Sequence, residues 1–149
     1  MPRLARIIGI GLPHHITQRG NYRQTVFTTA GDKTFYLSLL KKYSDKNNLF
    51  ILAYCLMPNH IHIIAIPQNM DSMAKTLNVV QMQYSQYYNF KFRRSGHLWQ
   101  ERYYSCILSE NHLLAAARYV ERNPVRAKLP IKPWDWKWSS ARNHVGLGL

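Results

Sequence analysis

The sequence contains few cysteines, few acidic residues and no long apolar run, and each shortage excludes a class of protein. The two cysteines among its 149 residues, Cys55 and Cys106, stand apart and without a CxxC pair. A disulfide framework is therefore not expected, and we predict that both cysteines are buried as small apolar residues. No stretch approaches the ~20 apolar residues of a membrane-spanning helix, and the first residues lack the apolar core of a signal peptide. These absences predict a cytoplasmic protein with no membrane partner.

Internal repeats, low-complexity tracts and a Pro/Ser-rich linker are also missing, which favours one compact unit. A chain of 149 residues has the usual size of a single domain. Its hydrophobic content of 46% and aromatic content of 13% are typical of a folded globule and argue against disorder. We therefore predict one domain over residues 1–149.

The scarcity of acidic residues leaves a large positive charge. There are 20 Lys and Arg residues against 7 Asp and Glu residues, which gives a formal net charge of +13 and a pI of about 10.0. Such an excess attracts phosphate backbones, and binding releases their counterions. Nucleic acid is therefore the leading partner. Composition leaves open a ribosome-associated or merely basic protein.

Hydrophobic patterning predicts alternating strands and helices. Alternation and short apolar runs predict four strands, over His14–Arg19, Leu49–Met57, His60–Pro67 and 97–108. Helical spacing predicts three helices, over 32–47, over 72–92 with Ser72 as N-cap, and from an N-cap at Ser109 to about Asn123, before Pro124. The order β-α-β-β-α-β followed by a helix predicts an α+β, ferredoxin-like fold, with helices on one face of an antiparallel sheet and the other face free for chemistry. The tryptophan-rich C-terminal stretch is expected to pack on this body, with only its last few residues frayed.

Two histidines interrupt the apolar run of the third predicted strand. Residues i and i+2 of a strand point to one face, roughly 6.5 Å apart, so His60 and His62 project together while Ile61 and Ile63 point to the other face. Two imidazoles at this spacing can share a metal ion, although hydrogen-bonded structural histidines are an equally good interpretation of the spacing alone. Two histidines do not fill a coordination shell, so a further ligand is needed.

The third predicted helix offers that ligand. Tyr119 and Asn123 are four residues apart and therefore neighbours on one helix face. The amide oxygen of asparagine suits Mg²⁺ or Mn²⁺. From spacing alone, an ordinary half-buried tyrosine and a helix-ending asparagine are the favoured interpretation. A separate stripe of this helix is predicted to pack on the sheet, formed by Leu113, Ala116, Ala117 and Val120.

Several motifs together resemble a known family. The stretches "MPNHIHII", "GHLWQERYY" and "YVERNPVRAKL", in this order, resemble the single-tyrosine HUH transposases, where U is a hydrophobic residue between two histidines. The opening "HHITQRGNYRQ" and the ending "WKWSSARNH" are similar to the branch of REP-associated tyrosine transposases. Insertion-sequence relatives usually have glutamine four residues after the tyrosine, and Asn123 at that position fits the REP-associated branch.

The resemblance implies a specific chemistry. It implies a metal-dependent endonuclease and transposase that cuts and rejoins single-stranded DNA near a hairpin, without ATP. Tyr119 is then the nucleophile that forms a 5′-phosphotyrosine. His60, His62 and Asn123 are then the ligands of Mg²⁺ or Mn²⁺, which makes the phosphate more electrophilic toward a phenol. The REP-associated branch implies a monomer, whereas insertion-sequence relatives exchange the tyrosine helix between partners. Such a protein is expected to be associated with the nucleoid.

Basic residues flanking the predicted site are the candidates for DNA contacts. Charge runs are usually solvated surface, but a strand of phosphates has to be held beside the tyrosine. The predicted DNA-binding residues are Arg3, Arg6, Arg19, Arg23, Arg93, Arg94, Arg122 and Arg126.

Two other functions remain open from the sequence. One is a non-catalytic DNA- or RNA-binding module, in which strand aromatics stack on bases and the histidines are incidental. The other is a metal-independent endoribonuclease with a histidine as general acid or base. The first predicts binding without cleavage, and the second predicts RNA preference and resistance to chelators.

Overall fold

The computed structural model of the chain describes residues 6–130 and 132–144, apart from the side chains of residues 142 and 143. The strands are β1 (His14–Arg19), β2 (Leu49–Met57), β3 (His60–Pro67) and β4 (Tyr104–Ile107). The helices are α1 (Ala30–Lys46), α2 (Ser72–Lys91), α3 (Glu110–Arg126) and the short α4 (Ala141–His144), with 3-10 turns at Asn21–Arg23 and Pro133–Asp135. In the described part of the chain, no helix is long and apolar enough to span a membrane.

The four strands form one antiparallel sheet in the order β2-β3-β1-β4. This order, with α1 and α2 as crossovers, confirms the predicted ferredoxin-like arrangement. β3 pairs with β1 so that His60 lies opposite Arg19 and His62 opposite Thr17. Because directly opposite residues share a face, β1 contributes side chains to the histidine face.

Helices cover the two faces of the sheet unequally. α1 and α2 pack on one face over a core that includes Ile16, Ile61 and Ile63. On the opposite face, Val120 of α3 packs in a smaller cluster with Ala53, Cys55, Met57 and Ile64. The predicted packing stripe of α3 is confirmed, because Leu113, Ala116 and Ala117 join this cluster. The second face is therefore not wholly free: α3 lies against it, in contact chiefly with β2 and less with β3.

The fourth strand is shorter than predicted. It covers only Tyr104–Ile107, and the preceding segment makes a single bridge, between Gly20 and Trp99. The Gln18 side chain donates hydrogen bonds to the carbonyl oxygens of Gln100 (2.8 Å) and Glu101 (3.3 Å). Glu101 itself has a left-handed φ of 39°. The Gln18 side chain therefore hydrogen-bonds the carbonyl groups of Gln100 and Glu101, which in a longer β4 would have paired with the backbone of β1.

The third helix extends past Pro124 to Arg126, so the prediction that it ends near Asn123 is wrong. Pro124 lies in the last turn, where a proline removes one helical hydrogen bond and the helix has few further turns to lose. The side chain of Pro124 is buried, and the Ala127 amide still donates to the Asn123 carbonyl oxygen at 3.1 Å. Burial of the ring outweighs the proline's usual effect on the preceding residue.

Two of the helix starts differ from the prediction in detail. α2 begins at Ser72, with Asp71 and not Ser72 as its N-cap, and the Ser72 hydroxyl accepts from the Asn69 amide at 3.0 Å. α1 begins two residues early, because Thr29 and Asp32 form a capping box. Ser109 is confirmed as the N-cap position of α3.

The C-terminal stretch packs on β2, as predicted. The Leu56 amide donates to the Trp138 carbonyl oxygen (2.8 Å), and the Trp136 indole donates to the Leu56 carbonyl oxygen (3.0 Å). The final residues, for which fraying was predicted, lie outside the described part. Both cysteines are free thiols; Cys55 is buried, whereas Cys106 is only half-buried.

Candidate active site

The two histidines of β3 lie side by side on the face that α3 partly covers. The ring centroids of His60 and His62 are 5.0 Å apart, and the ring planes are nearly perpendicular. Burial, together with the positive charge of Arg19, lowers the pKa of His60 to about 4 and that of His62 to about 3, and the neighbouring His60 and His15 contribute to the lowering at His62. At neutral pH both rings are therefore uncharged, which is the state in which imidazole binds a metal.

Hydrogen bonds fix the orientation of each ring through one nitrogen. The Nδ1 atom of His60 lies 2.7 Å from Asn59 Oδ1, and that of His62 lies 3.1 Å from His15 Nε2 and 3.4 Å from Thr17 Oγ1. Within the described part of the chain, neither Nε2 atom has a hydrogen-bond partner. Metal-binding histidines characteristically use one ring nitrogen for such a bond and the other for the ion.

Tyr119 projects from α3 toward this pair. Its ring meets that of His62 edge-on, with centroids 5.9 Å apart, and that of His15 at 6.3 Å. The next residue, Val120, is fully buried against the sheet and so holds this part of α3 on the histidine face. The tyrosine itself is 47% exposed, and the guanidinium of Arg126 lies 3.9 Å from its ring centroid. A tyrosine ring, two imidazoles and a guanidinium thus lie together, with the tyrosine partly open to solvent.

Asn123 is half-buried one turn after Tyr119, and its backbone carbonyl belongs to the last turn of α3. Its side-chain amide has no hydrogen-bond partner among residues 6–130 and 132–144. No group of three or more His, Cys, Asp or Glu side chains that could hold a metal occurs in that same part of the chain. A metal here would therefore need a third donor of another type, and Asn123 is the residue that the sequence predicted for this role.

The donor set fits a divalent ion with an open coordination sphere. Two neutral imidazoles and one amide oxygen leave positions for water and phosphate oxygens, as Mg²⁺ and Mn²⁺ sites usually do. The histidine contribution is supported by the free Nε2 atoms. The contribution of Asn123 is supported only by its helix position.

Sequence reasoning did not identify His15 and Thr17 as site residues. Both lie on β1 and contact the Nδ1 atom of His62. The alternation in "HHITQR" already puts them on one face with Arg19. What the sequence does not give is the register that sets this face beside the histidines of β3.

Two of the predicted DNA-binding arginines lie at this site. Arg19 is exposed and lies opposite His60 in the sheet, and Arg126 stacks on Tyr119. Arg122 is exposed on α3 without a contact to the tyrosine ring.

The other predicted arginines lie elsewhere. Arg94 donates to Gln24 Oε1 at 2.5 Å, which joins the end of α2 to the turn that carries the exposed Arg23, and Arg93 is exposed beside it. Arg6 instead packs on Tyr103, with its guanidinium 3.6 Å from the ring centroid and a hydrogen bond to the Tyr103 carbonyl oxygen. Arg3 lies outside the described residues.

Four other tyrosines, in or beside α2 and β4, have other surroundings. Tyr84 is fully buried and donates to the Val26 carbonyl oxygen, and Tyr87 donates to Asp32 at 2.8 Å. Tyr103 is buried just before β4, and Tyr104 is 64% exposed on β4. Only Tyr119 among the described tyrosines stacks edge-on against His62 and His15.

Comparison with known proteins identifies the family. The family model for IS200-like transposases matches residues 11–123, and the chain therefore belongs to this family. A candidate REP-associated tyrosine transposase from Haemophilus influenzae is 27% identical over 106 residues, which is 63% of this chain and 60% of that protein. The chain thus aligns with less than two thirds of that relative's length.

Solved structures share the fold. A REP-associated tyrosine transposase bound to a REP hairpin superposes with a TM-score of 0.81 at 19% identity, over 100% of this chain and 89% of the other. A candidate transposase from Deinococcus radiodurans superposes with a TM-score of 0.53 at 19% identity, over 81% of this chain and 97% of the other. The resemblance to REP-associated tyrosine transposases that the motifs indicated is confirmed.

Proposed function

We propose that this protein is a metal-dependent transposase that cuts and rejoins single-stranded DNA beside a hairpin through a phosphotyrosine intermediate. The observation that carries the proposal is the contact of Tyr119 with His62, whose ring is paired with that of His60, in a member of the IS200-like transposase family. Residues 1–149 are proposed to act as one domain.

Hairpin DNA is the proposed substrate. The fold relative with a TM-score of 0.81 was solved with a REP hairpin bound. The net charge of +13 suits a polyanion, and Arg19 and Arg126 stand beside the histidines and the tyrosine, where the phosphates of the cut strand would pass. Action in the cytoplasm, on nucleoid DNA, follows from this substrate.

The proposed reaction is a transesterification. The Tyr119 oxygen forms a bond to the scissile phosphorus, and the bond from phosphorus to the 3′-oxygen breaks. The phenolic proton passes to solvent, which the half-exposed ring allows, and the departing 3′-oxygen takes up a proton. The product holds a 5′-phosphotyrosine, so attack by a second 3′-hydroxyl rejoins the strand by the reverse exchange without an energy source.

His60, His62 and Asn123 are the proposed metal ligands. A Mg²⁺ or Mn²⁺ ion held there would stabilise negative charge on the phosphate oxygens. In the tautomer that leaves both Nε2 atoms free for this role, the Nδ1 atom of His60 donates to Asn59 Oδ1 and that of His62 donates to His15 Nε2. Arg126 keeps a positive charge against the nucleophile's ring.

A monomer that uses its own tyrosine is the proposed working unit. Tyr119 meets the histidines of the same chain, so the site does not need a second copy to supply its nucleophile.

The direct test is formation of a covalent adduct. Labelled single-stranded DNA with a REP-like hairpin is mixed with the protein and Mn²⁺, the protein is denatured, and label is sought at the protein's position on a gel. The adduct is expected with the wild type and is expected to vanish with a chelator and in Tyr119→Phe. Tyr22→Phe is the matched control, because Tyr22 is 94% exposed and its ring has no contact with a histidine among the described residues.

Each alternative function predicts a different result. Tight hairpin binding without any adduct, over several REP-like and insertion-end hairpins, would favour a non-catalytic binding module. Cleavage of RNA that persists with a chelator would favour the metal-independent endoribonuclease.

A further inference from the structure

Three arginines form a row along the exposed side of α3. Arg118, Arg122 and Arg126 follow one another at intervals of four residues, so that each lies about one turn from the next. All three side chains are exposed, whereas Val120 and Pro124 on the other side of the helix are buried. The row is about 12 Å long by the rise of a helix. We call these three residues the α3 arginine stripe.

No acidic side chain neutralises this stripe. Among residues 6–130 and 132–144, none of its three guanidinium groups forms an ion pair with a carboxylate. Glu121 is the acidic residue nearest to the stripe in sequence, but its carboxylate already accepts from Ser140 at 2.6 Å and lies 2.5 Å from His144 Nδ1. Three exposed cations in a row, without acidic partners, suit a linear polyanion.

The stripe meets the proposed nucleophile at one end. The guanidinium of Arg126 lies 3.9 Å from the centroid of the Tyr119 ring. Arg122 and Arg118 continue from there toward the start of α3. Each is two residues from the fully buried Val120, which puts both on the side of the helix that is turned away from the sheet. A strand of phosphates that follows the stripe therefore leads from Tyr119 over the outer side of α3.

Cations flank the site on two different sides. Arg19 belongs to β1 and lies opposite His60 in the sheet, whereas α3 contacts chiefly β2, on the other side of β3. A DNA strand with its scissile phosphate at Tyr119 has one part on each side of that phosphate. Arg19 and the α3 arginine stripe can thus hold different parts of the strand.

The two parts have different requirements once the strand is cut. The part that carries the 5′-phosphate stays attached to Tyr119 through a covalent bond. The part that ends in the 3′-hydroxyl has no such bond, and it diffuses away unless the protein binds it. Holding that end beside the phosphotyrosine raises its effective concentration for rejoining. Cations on the helix that carries Tyr119 are suitably placed for this purpose.

We infer that the α3 arginine stripe binds the phosphates of the DNA strand that ends in the 3′-hydroxyl and attacks the phosphotyrosine. The inference rests on the proposed function, because it takes the phosphotyrosine intermediate as given. In the rejoining step the 3′-oxygen forms a bond to phosphorus, and the bond from phosphorus to the Tyr119 oxygen breaks. The proton of the 3′-hydroxyl passes to solvent, and the phenolate takes up a proton. Arg118 and Arg122 supply affinity for the acceptor strand in this step.

The test measures rejoining from the isolated adduct, so that effects on the first cut do not enter. Adducts with labelled hairpin DNA are prepared from wild type, the double variant Arg118→Met/Arg122→Met and the control Lys46→Met. Each is mixed with rising concentrations of an unstructured acceptor oligonucleotide, and the rate at which label leaves the protein is measured. Lys46 is an exposed cation at the end of α1, on a different helix. Thermal unfolding of the three proteins verifies that they fold.

The double variant is expected to need more acceptor for half of the maximal rate. Loss of two phosphate contacts to a single strand lowers the slope of log affinity against log salt by about 1.4, which is roughly 25-fold in affinity at about 0.1 M salt if the affinities meet near 1 M. Lys46→Met is expected to behave as wild type. With a dinucleotide acceptor, which has one phosphodiester and cannot follow the stripe, wild type and double variant are expected to differ little. Equal half-saturating concentrations with the long acceptor, or an equal loss with the dinucleotide, would overturn the inference.

Failure of this inference can be told apart from failure of the proposed function. An adduct on Tyr119 that reacts with acceptor equally well in wild type and double variant overturns only the inference. If no adduct forms, the proposed reaction is contradicted, and equilibrium binding of unstructured single-stranded DNA is compared instead. A lower salt slope in the double variant then supports the stripe as a phosphate-binding surface, whereas equal affinities and equal slopes overturn it.

Discussion

Single residues at the site owe their chemical state to their neighbours. His60 and His62 would both titrate near neutral pH as free side chains, but burial and the charge of Arg19 lower their pKa values to about 4 and about 3. A lowered histidine pKa favours the neutral ring at every pH above that value. Because the two imidazoles are uncharged, they do not repel the positive Arg126 beside Tyr119. A divalent ion would thus enter a site whose ligands carry no proton to displace at pH 7.

The stacking of Arg126 on Tyr119 leads to a prediction about the rate of adduct formation. Arg126→Met keeps the length of the side chain and removes its charge. Loss of a cation over an exposed aromatic ring is expected to cost about 1 kcal/mol, or roughly fivefold in rate. The rate is measured in a single turnover at saturating DNA, so that a lower affinity for DNA does not affect the measured rate.

Arg122→Met is the matched control for that prediction. Arg122 lies on the same helix and is exposed, but it does not stack on the tyrosine. It is expected to change affinity and not the saturated rate. An equal slowing by both substitutions would mean that Arg126 acts only through general charge.

Some site residues could be predicted from the sequence and others could not. Short-range spacing puts His60 beside His62 on one strand and Tyr119 beside Asn123 on one helix, and the family resemblance made these four residues the candidates. His15 belongs to a strand 47 residues away from His62 in the chain. Its contact depends on strand register, which single-sequence patterns do not specify.

At the scale of elements, the pairing of α1 with α2 supports the sheet behind the site. Asp32 of α1 is fully buried and accepts from Lys91 at 2.7 Å and from Tyr87 at 2.8 Å, both on α2. It also accepts from the amides of Thr28 and Thr29 at the start of α1. These bonds outweigh the raising effect of burial and lower the pKa of Asp32 from 3.8 to about 2.

This carboxylate predicts a pH-dependent stability. Because the folded pKa is below the unfolded one, Asp32 stabilises the fold above pH ~4, and the stabilisation is lost as pH falls through about 2. Asp32→Asn is expected to lower the free energy of unfolding by about 2 kcal/mol at pH 7. Urea unfolding at pH 7, 4 and 2.5 measures the difference, which is expected to shrink at the lowest pH.

Asp45→Asn serves as the control, because the Asp45–Lys41 pair is 3.3 Å long and both side chains are largely exposed. Its expected effect is within about 0.5 kcal/mol at every pH. A difference between Asp32→Asn and wild type that stays constant down to pH 2.5 would contradict the ionic role of Asp32.

Element boundaries were less predictable than element order. The ends of β4 and α3 differ from prediction because tertiary contacts decided them: Gln18 takes the carbonyl oxygens of Gln100 and Glu101, and burial holds Pro124 inside a helix. The bounds of the first three strands were predicted correctly from alternation and apolar runs. The local hydrophobic pattern determines where a strand or helix lies, whereas its exact ends depend on tertiary contacts with the rest of the protein.

At the scale of the whole molecule, the tyrosine and the histidines of one chain form one site. This predicts that two inactive variants do not restore each other. His62→Ala and Tyr119→Phe are mixed, incubated and assayed for adduct with hairpin DNA. The mixture is expected to stay inactive, because neither variant has both His62 and Tyr119. Light scattering is expected to give the mass of a monomer. Recovery of adduct toward a quarter of the wild-type level would instead indicate a dimer that exchanges its α3 helices.

The measurement that tests the central claim most directly is mass spectrometry of the protein after reaction with hairpin DNA and Mn²⁺. Nuclease treatment leaves one or a few nucleotides on the linked residue. Trypsin cleaves after Arg118 and after Arg122 and so releases residues 119–122 as one peptide. A nucleotide joined through a 5′-phosphate to Tyr119 is the predicted result. A linkage to another tyrosine, or an unmodified protein that nevertheless binds the hairpin tightly, would contradict the account.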